Sequence, residues 1–191
     1  MMDELDSSTI QDAFLQKANV IAIGSGLDSK DMPFAISELL KSNQKIILDA
    51  GGIDLVKNQL MNENVILTPH PGELNRLTGN KLSTPLEIIN HLKEYCKTYH
   101  VNIIFKSHYN IFCDTKGICY LWNIPNSKLA VMGTGDLLVG ILAFFLSRGY
   151  SILDSVQYAL SILNLSQKMK KKISKHWRNW ELFEFEIRLK M

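Results

Sequence analysis

Four short segments combine residue types that can hold an anion or move a proton, and each sits where an apolar run begins or ends. Gly133-Thr-Gly-Asp136 leads into an apolar stretch. Glycines ahead of a helix leave backbone N–H groups facing a concave anion site. An aspartate in the first turn can take a proton from a hydroxyl while those N–H groups hold developing phosphate charge. It can equally serve only to complement the helix dipole. Average residue usage gives this tetrapeptide by chance in on the order of a few per thousand chains of this length. Thr68-Pro-His-Pro-Gly-Glu73 locks one imidazole, His70, and one carboxylate, Glu73, among prolines and a glycine. Glu73 either caps the next helix or orients a hydrated metal ion on a phosphate. Lys106 closes an apolar run, where it points a cation at phosphate or simply meets solvent. Gly24-Ser-Gly26 follows another such run; glycine there allows positive φ and close approach of a ligand, and a plain tight turn needs the same residues.

The elements that must position these residues alternate. Strands are expected over Asn19–Ile23, Lys45–Asp49, Asn64–Thr68 and Val101–Lys106. Helices are expected over 32–42, over Ile53–Met61, and from Pro71, a favoured first-turn position. Thr84-Pro-Leu-Glu87 has capping-box spacing and opens a helix whose apolar positions are Leu86, Ile89, Leu92, Cys96 and Tyr99. Asn110–Cys113 and Ile118–Trp122 flank Asp114-Thr-Lys-Gly117, a hairpin signal. Gly135–Arg148 is an apolar helix, expected in the core, and Ser151-Ile-Leu-Asp154 caps another. Apolar strands alternating with helices predict an α/β fold with a mostly parallel central sheet and helices on both faces. In such sheets ligands bind at the carboxyl ends of the strands, where the four segments fall. The tail differs: lysines at 168–175, then alternation of Phe183, Phe185, Ile187 and Leu189 with charged residues, a half-buried strand pattern.

Composition narrows the class. The chain has 191 residues, 46% hydrophobic and 21% charged, with a net charge of +2. This is globular composition, and so balanced a charge gives no reason to expect nucleic acid or anionic lipid as the main partner. The apolar run from Leu137 to Leu146 supplies only about 15 Å of helix, half a bilayer core, so no membrane span is expected. Three cysteines, Cys96, Cys113 and Cys119, with no secretory start, predict reduced thiols and a cytoplasmic protein. No zinc-ligand spacing accompanies them.

In this order the segments resemble the ADP/ATP-dependent NAD(P)H-hydrate dehydratases of the ribokinase-like superfamily. The resemblance rests on Ala22-Ile-Gly-Ser-Gly-Leu27, Ile47-Leu-Asp-Ala50, Leu67-Thr-Pro-His-Pro-Gly-Glu-Leu74, Ile104-Phe-Lys106 and Gly133-Thr-Gly-Asp-Leu-Leu138, and covers about residues 15–165. It implies a ribokinase-like domain over residues 1–165, lacking the family's first strands, with a divergent tail over 166–191. It implies a lyase that repairs hydrated NADH or NADPH by phosphorylating the ring hydroxyl from ADP or ATP, with Mg²⁺, and then eliminating phosphate. Asp136 would be the base. Gly24, Gly26, His70 and Asp136 would contact the damaged cofactor, and Glu73 would hold Mg²⁺ through water. Lys106, Ser107, His108, Tyr109, Asn110, Gly133, Thr134 and Gly135 would line the nucleotide site, with Ser107 standing where the family has glycine. An open sheet edge would favour a homo-oligomer or a second chain that completes the sheet. The alternatives are a kinase of a small alcohol, which would share Asp136 but have no use for His70, and an inactive nucleotide-binding remnant.

Overall fold

The computed structural model describes residues 17–27, 33–122 and 133–173. Six strands, β1 (Val20–Ile23), β2 (Lys45–Leu48), β3 (Val65–Leu67), β4 (Asn102–Lys106), β5 (Asn110–Cys113) and β6 (Cys119–Trp122), form one sheet in sequential order. The first four run parallel, and β4–β5 and β5–β6 are antiparallel hairpin pairs. The helices are α1 (Pro33–Leu40), α2 (Gly51–Asp54), α3 (Pro71–Thr78), α4 (Pro85–Tyr99), α5 (Thr134–Ser147) and α6 (Ile152–Ile173).

Parallel strands laid down in one direction with right-handed crossovers put every crossover helix on the same face. The two cores follow. Ile46, Leu48, Val65, Leu67, Ile103 and Phe105 point to one face and pack under α1–α4. Their alternates Ile47, Ile66 and Ile104 point to the other, where α5 and α6 supply Leu138, Leu142, Leu146, Val156, Ala159 and Leu160. The expected α/β sheet with helices on both faces is therefore present. No helix among the described residues is long and apolar enough to cross a membrane. The tail strand expected over 182–190 lies outside the described residues.

Local rules decide the ends. Thr84 Oγ1 accepts from the Glu87 amide (3.2 Å), and Glu87 Oε2 accepts from the amides of Thr84 (3.0 Å) and Ser83 (3.1 Å). Those donors hold the Glu87 carboxyl below its ordinary range. Replacing Thr84 by alanine is expected to cost about 1 kcal/mol, read as a lower urea midpoint at unchanged slope. Ser151 caps α6 in the same way, its amide-facing Oγ accepting from Asp154 N (3.1 Å).

Three expectations are corrected. The helix expected over Ile53–Met61 starts two residues earlier and ends at Asp54; the chain continues in turns, and Asn58, with a positive φ of 60°, keeps a helix from reaching Met61. The buried face of α4 is Ile88, Leu92, Tyr95 and Cys96; Leu86, in the first turn, is exposed. The apolar α5 is only half buried, with Leu137 and Phe144 on its outer side. The thiols also differ from expectation. Cys113 and Cys119 are directly opposed across the β5–β6 hairpin and joined by a disulfide, so Cys96 is the free thiol.

Burial on α4 has a pH signature. It pushes the Tyr95 phenol from its ordinary 10 up to about 12, and the Cys96 thiol upward as well. Both groups stay neutral in the folded chain at a pH where the unfolded chain has lost their protons. The stability this represents is complete below the unfolded values and is lost as pH climbs through the folded ones. The urea midpoint is therefore expected to fall between pH 10 and 12. Tyr95→Phe should lessen that fall at little cost near neutrality, since the buried Tyr95 hydroxyl makes at most a weak contact with the Asn58 backbone. A midpoint equally pH-sensitive in Tyr95→Phe would refute the assignment to Tyr95.

Candidate active site

The carboxyl ends of β1–β4 line up along one edge of the sheet. Asp49 N donates to Ile23 O (2.9 Å), Thr68 N to Leu48 O (3.0 Å) and Lys106 N to Pro69 O (2.8 Å). The ladder thus continues past the ends of β2 and β3 to the last residue of β4 and sets Gly24, Asp49, Thr68 and Lys106 in a row. The close approach at its first position needs glycine. A Cβ on Gly24, whose φ is +132°, would fall 1.6 Å from the Asp49 carbonyl oxygen. Beside it Ala50 carries a φ of 45°, a strained conformation for a residue with a side chain.

Asp49 organises the centre of the row. It is buried at the end of an otherwise apolar strand, and its Oδ1 accepts from Thr68 Oγ1 (2.6 Å) and from Lys106 Nζ (2.5 Å). Lys106 is mostly buried too, so the pair is not a screened surface contact. A lysine held this way has one direction to point. That direction is the start of α5: a Cβ on Gly135 would lie 3.4 Å from Lys106 Nζ and 3.5 Å from Asp49 Oδ2. Glycine at 135 therefore leaves a cradle between the first turn of α5 and the ammonium group.

Asp136 stands in that first turn, and its Oδ1 accepts from Ser25 Oγ at 2.6 Å. A carboxylate already bonded to a hydroxyl, beside the positive end of a 14-residue helix and a fixed lysine, has the parts for proton removal coupled to transfer of an anionic group.

His70 and Glu73 close the next position along the edge. His70 is the N-cap of α3; its Nδ1 accepts from Gly72 N (2.9 Å) and Glu73 N (3.4 Å). The ring proton therefore resides on Nε2, 3.3 Å from Glu73 Oε1. Glu73 Oε2 accepts from His70 N (2.8 Å). Of the two roles the sequence allows Glu73, the geometry displays the cap, with both oxygens facing His70. The His70 side chain remains half exposed.

The segment after Lys106 is the β4–β5 turn. Ser107 Oγ lies 3.0 Å from His108 Nδ1, and both are on the surface side. Tyr109 turns into the core against Phe105, and burial raises its phenol. Asn110 opens β5 opposite Lys106 and is buried. Gly133, Thr134 and Gly135 begin α5. The structure thus joins the Gly24–Gly26 turn to Asp136 through Ser25 and Lys106 to the start of α5 at Gly135, and sets His70 one strand end away. Sequence reasoning assigned no role to Asp49 or to Ser25. Asp49 carried a signal: a lone carboxylate ending an apolar strand, in register with Thr68 and Lys106. Ser25 lay inside a glycine turn, and nothing in the sequence reveals its bond to a residue 111 positions away.

A sheet of this order, with the anion cradle opposite its carboxyl edge, is the ribokinase-like class of α/β fold. A ribokinase-like protein of known structure from Enterococcus faecalis superposes with a TM-score of 0.70 at 25% identity, covering 86% of this chain and 60% of that one. A sequence model described as NAD(P)H-hydrate dehydratase matches residues 1–180, and the chain belongs to that family. It is 31% identical over 176 residues to the ADP-dependent (S)-NAD(P)H-hydrate dehydratase of Nitrosopumilus maritimus, covering 89% of this chain and 61% of the relative. The ADP/ATP-dependent NAD(P)H-hydrate dehydratase of Bacillus subtilis, crystallised with ATP and Mg²⁺, superposes with a TM-score of 0.72 at 28% identity, over 81% of this chain and 58% of that one. The chain thus spans about three fifths of the length of these relatives.

Proposed function

We propose that this chain dehydrates NADH hydrate or NADPH hydrate in a nucleotide-dependent repair reaction, taking its phosphoryl group from ADP or ATP. The observation that carries the reading is the 2.6 Å hydroxyl–carboxylate bond between Ser25 and Asp136 at the mouth of the Gly135–Lys106 cradle. A substrate hydroxyl in place of the Ser25 hydroxyl would meet the same carboxylate.

The cradle suits a polyphosphate: it joins outward backbone N–H groups, a space that one Cβ would fill, and a cation. When bound, the nucleotide supplies the phosphoryl group that turns a poor leaving hydroxyl into a good one. Asp136 accepts the hydroxyl proton. The first amides of α5 and Lys106 hold the charge that gathers on the transferring group. Asp49 keeps Lys106 aimed. His70 is rigid on its cap and half exposed, its Nε2–H turned to Glu73 Oε1, so a substrate would meet the exposed part of the ring. Among the described residues no three His, Cys, Asp or Glu side chains cluster. Glu73 turns both oxygens to His70, so it would reach magnesium only through water, and no step is derived through the metal. Magnesium in such sites is carried largely by phosphates and water.

The deciding experiment mixes the chain with NADH hydrate, Mg²⁺ and, in separate arms, ADP or ATP, and follows the near-ultraviolet absorbance of NADH. Recovery that needs a nucleotide supports the reading and names the donor. No recovery with folded protein at high concentration sinks it for this chain.

A further inference from the structure

We propose that Ser25 is a phosphoryl acceptor in its own right: with nucleotide bound and no hydrate in the site, the phosphoryl group passes to Ser25 Oγ. The inference rests on the repair reading above, because it uses the same donor.

The Ser25 hydroxyl is placed as a nucleophile must be. Its Oγ is 2.6 Å from Asp136 Oδ1, within the reach a general base requires, and the contact is exposed, so a donor can approach. The turn presents it outward: Leu27 N donates to Gly24 O (3.2 Å), closing the loop at whose tip Ser25 stands. There is room around it. Among the described residues no atom lies within 4 Å of where a Cβ would stand on Gly26 or on Gly133. Gly135 directly precedes Asp136 in the first turn of α5, and the space over it opens toward Lys106 Nζ, where a terminal phosphate would be held.

The step balances without redox change. Asp136 takes the Oγ proton. The Oγ–P bond forms as the bond from that phosphorus to the bridging oxygen breaks. The nucleotide leaves one phosphate shorter. Phosphoserine then brings about −1.5 to −2 charges beside Asp136, which repels a second donor and occupies the base, so the reaction stops at one phosphate per chain. Hydrate protects Ser25, because its hydroxyl must displace Ser25 from Asp136 in order to react.

The test incubates the full chain with ATP and Mg²⁺, and separately with ADP and Mg²⁺, without hydrate. Intact mass and peptide mapping then locate any added phosphate. The expected result is one phosphate on the peptide bearing Ser25, absent in Ser25→Ala and in Asp136→Asn, and suppressed by hydrate. Asp136→Asn keeps an oxygen to accept from Ser25, which preserves the local fold. A preparation that repairs hydrate with the same nucleotide yet leaves Ser25 unmodified overturns this proposal alone. Phosphate that persists in Ser25→Ala overturns it as well. A preparation that neither repairs hydrate nor labels Ser25 removes the repair reading, and this inference with it.

Discussion

Asp136→Asn is expected to slow nucleotide-dependent recovery of NADH by about 10²–10⁴-fold, the usual contribution of a positioned general base. The substitution is close to isosteric. The amide oxygen can still accept from Ser25, and α5 keeps a polar residue in its first turn, so circular dichroism and the urea midpoint should change little. The loss should appear in kcat more than in nucleotide affinity, because the cradle of amides at the start of α5 and Lys106 is untouched. Asparagine even removes a negative charge next to the phosphate site, so nucleotide should bind as tightly or more tightly. Stopped-flow turnover and calorimetric titration of ADP separate the two. A variant that turns over as fast as the parent would show that Asp136 takes no proton in the reaction.

Gly24→Ala is the substitution expected to cost the most stability. The new Cβ would stand 1.6 Å from the Asp49 carbonyl oxygen, a backbone atom that cannot rotate away. The φ of +132° is itself closed to a residue with a side chain. Either β1 or the start of α2 must move, and overpacking joined to backbone strain gives a loss of about 4 kcal/mol or more. In a chain of this size that is roughly a 10 °C fall in Tm. Gly26→Ala supplies the comparison. It meets no atom of the described residues within 4 Å and carries only an ordinary left-handed φ of +79°, so its cost should be about 1–2 kcal/mol. Equal melting temperatures for the two variants would show that the approach of Gly24 to Asp49 is not under compression.

How much of this was legible beforehand depended on how local the signal was. Capping boxes, the hairpin at Asp114–Gly117 and the apolar strands are written in neighbouring residues, and the sheet follows from them. Helix α2 misled because Ile53, Val56 and Met61 have helical spacing, whereas packing against the end of β1 and the left-handed Asn58 decide the outcome. On α4 the helical spacing counted Leu86 among the apolar positions, but the face that meets the sheet runs through Ile88, Leu92, Tyr95 and Cys96 and leaves Leu86 exposed. Cys113 and Cys119 had adjacent places in a hairpin, yet their exact opposition depends on register, which a turn signal alone does not set. In the site, Asp136, Lys106 and the glycines announced themselves through the strings that contain them. Asp49 and Ser25 act through partners that only the folded sheet supplies.

Those partners are distant along the chain. Thr68 and Asp49 are 19 residues apart, Lys106 and Asp49 57, and Ser25 and Asp136 111. Chain-closure entropy grows with the logarithm of such separations, so joining Ser25 to Asp136 costs about 1.6 kcal/mol more than joining Thr68 to Asp49. Contacts of long range also tend to come late in folding. The hydroxyl and the carboxylate thus meet only after β1, β2, β3 and β4 have been laid side by side and α5 has returned across them. During refolding, recovered secondary structure would precede recovered turnover, and the interval between them would time the docking of α5.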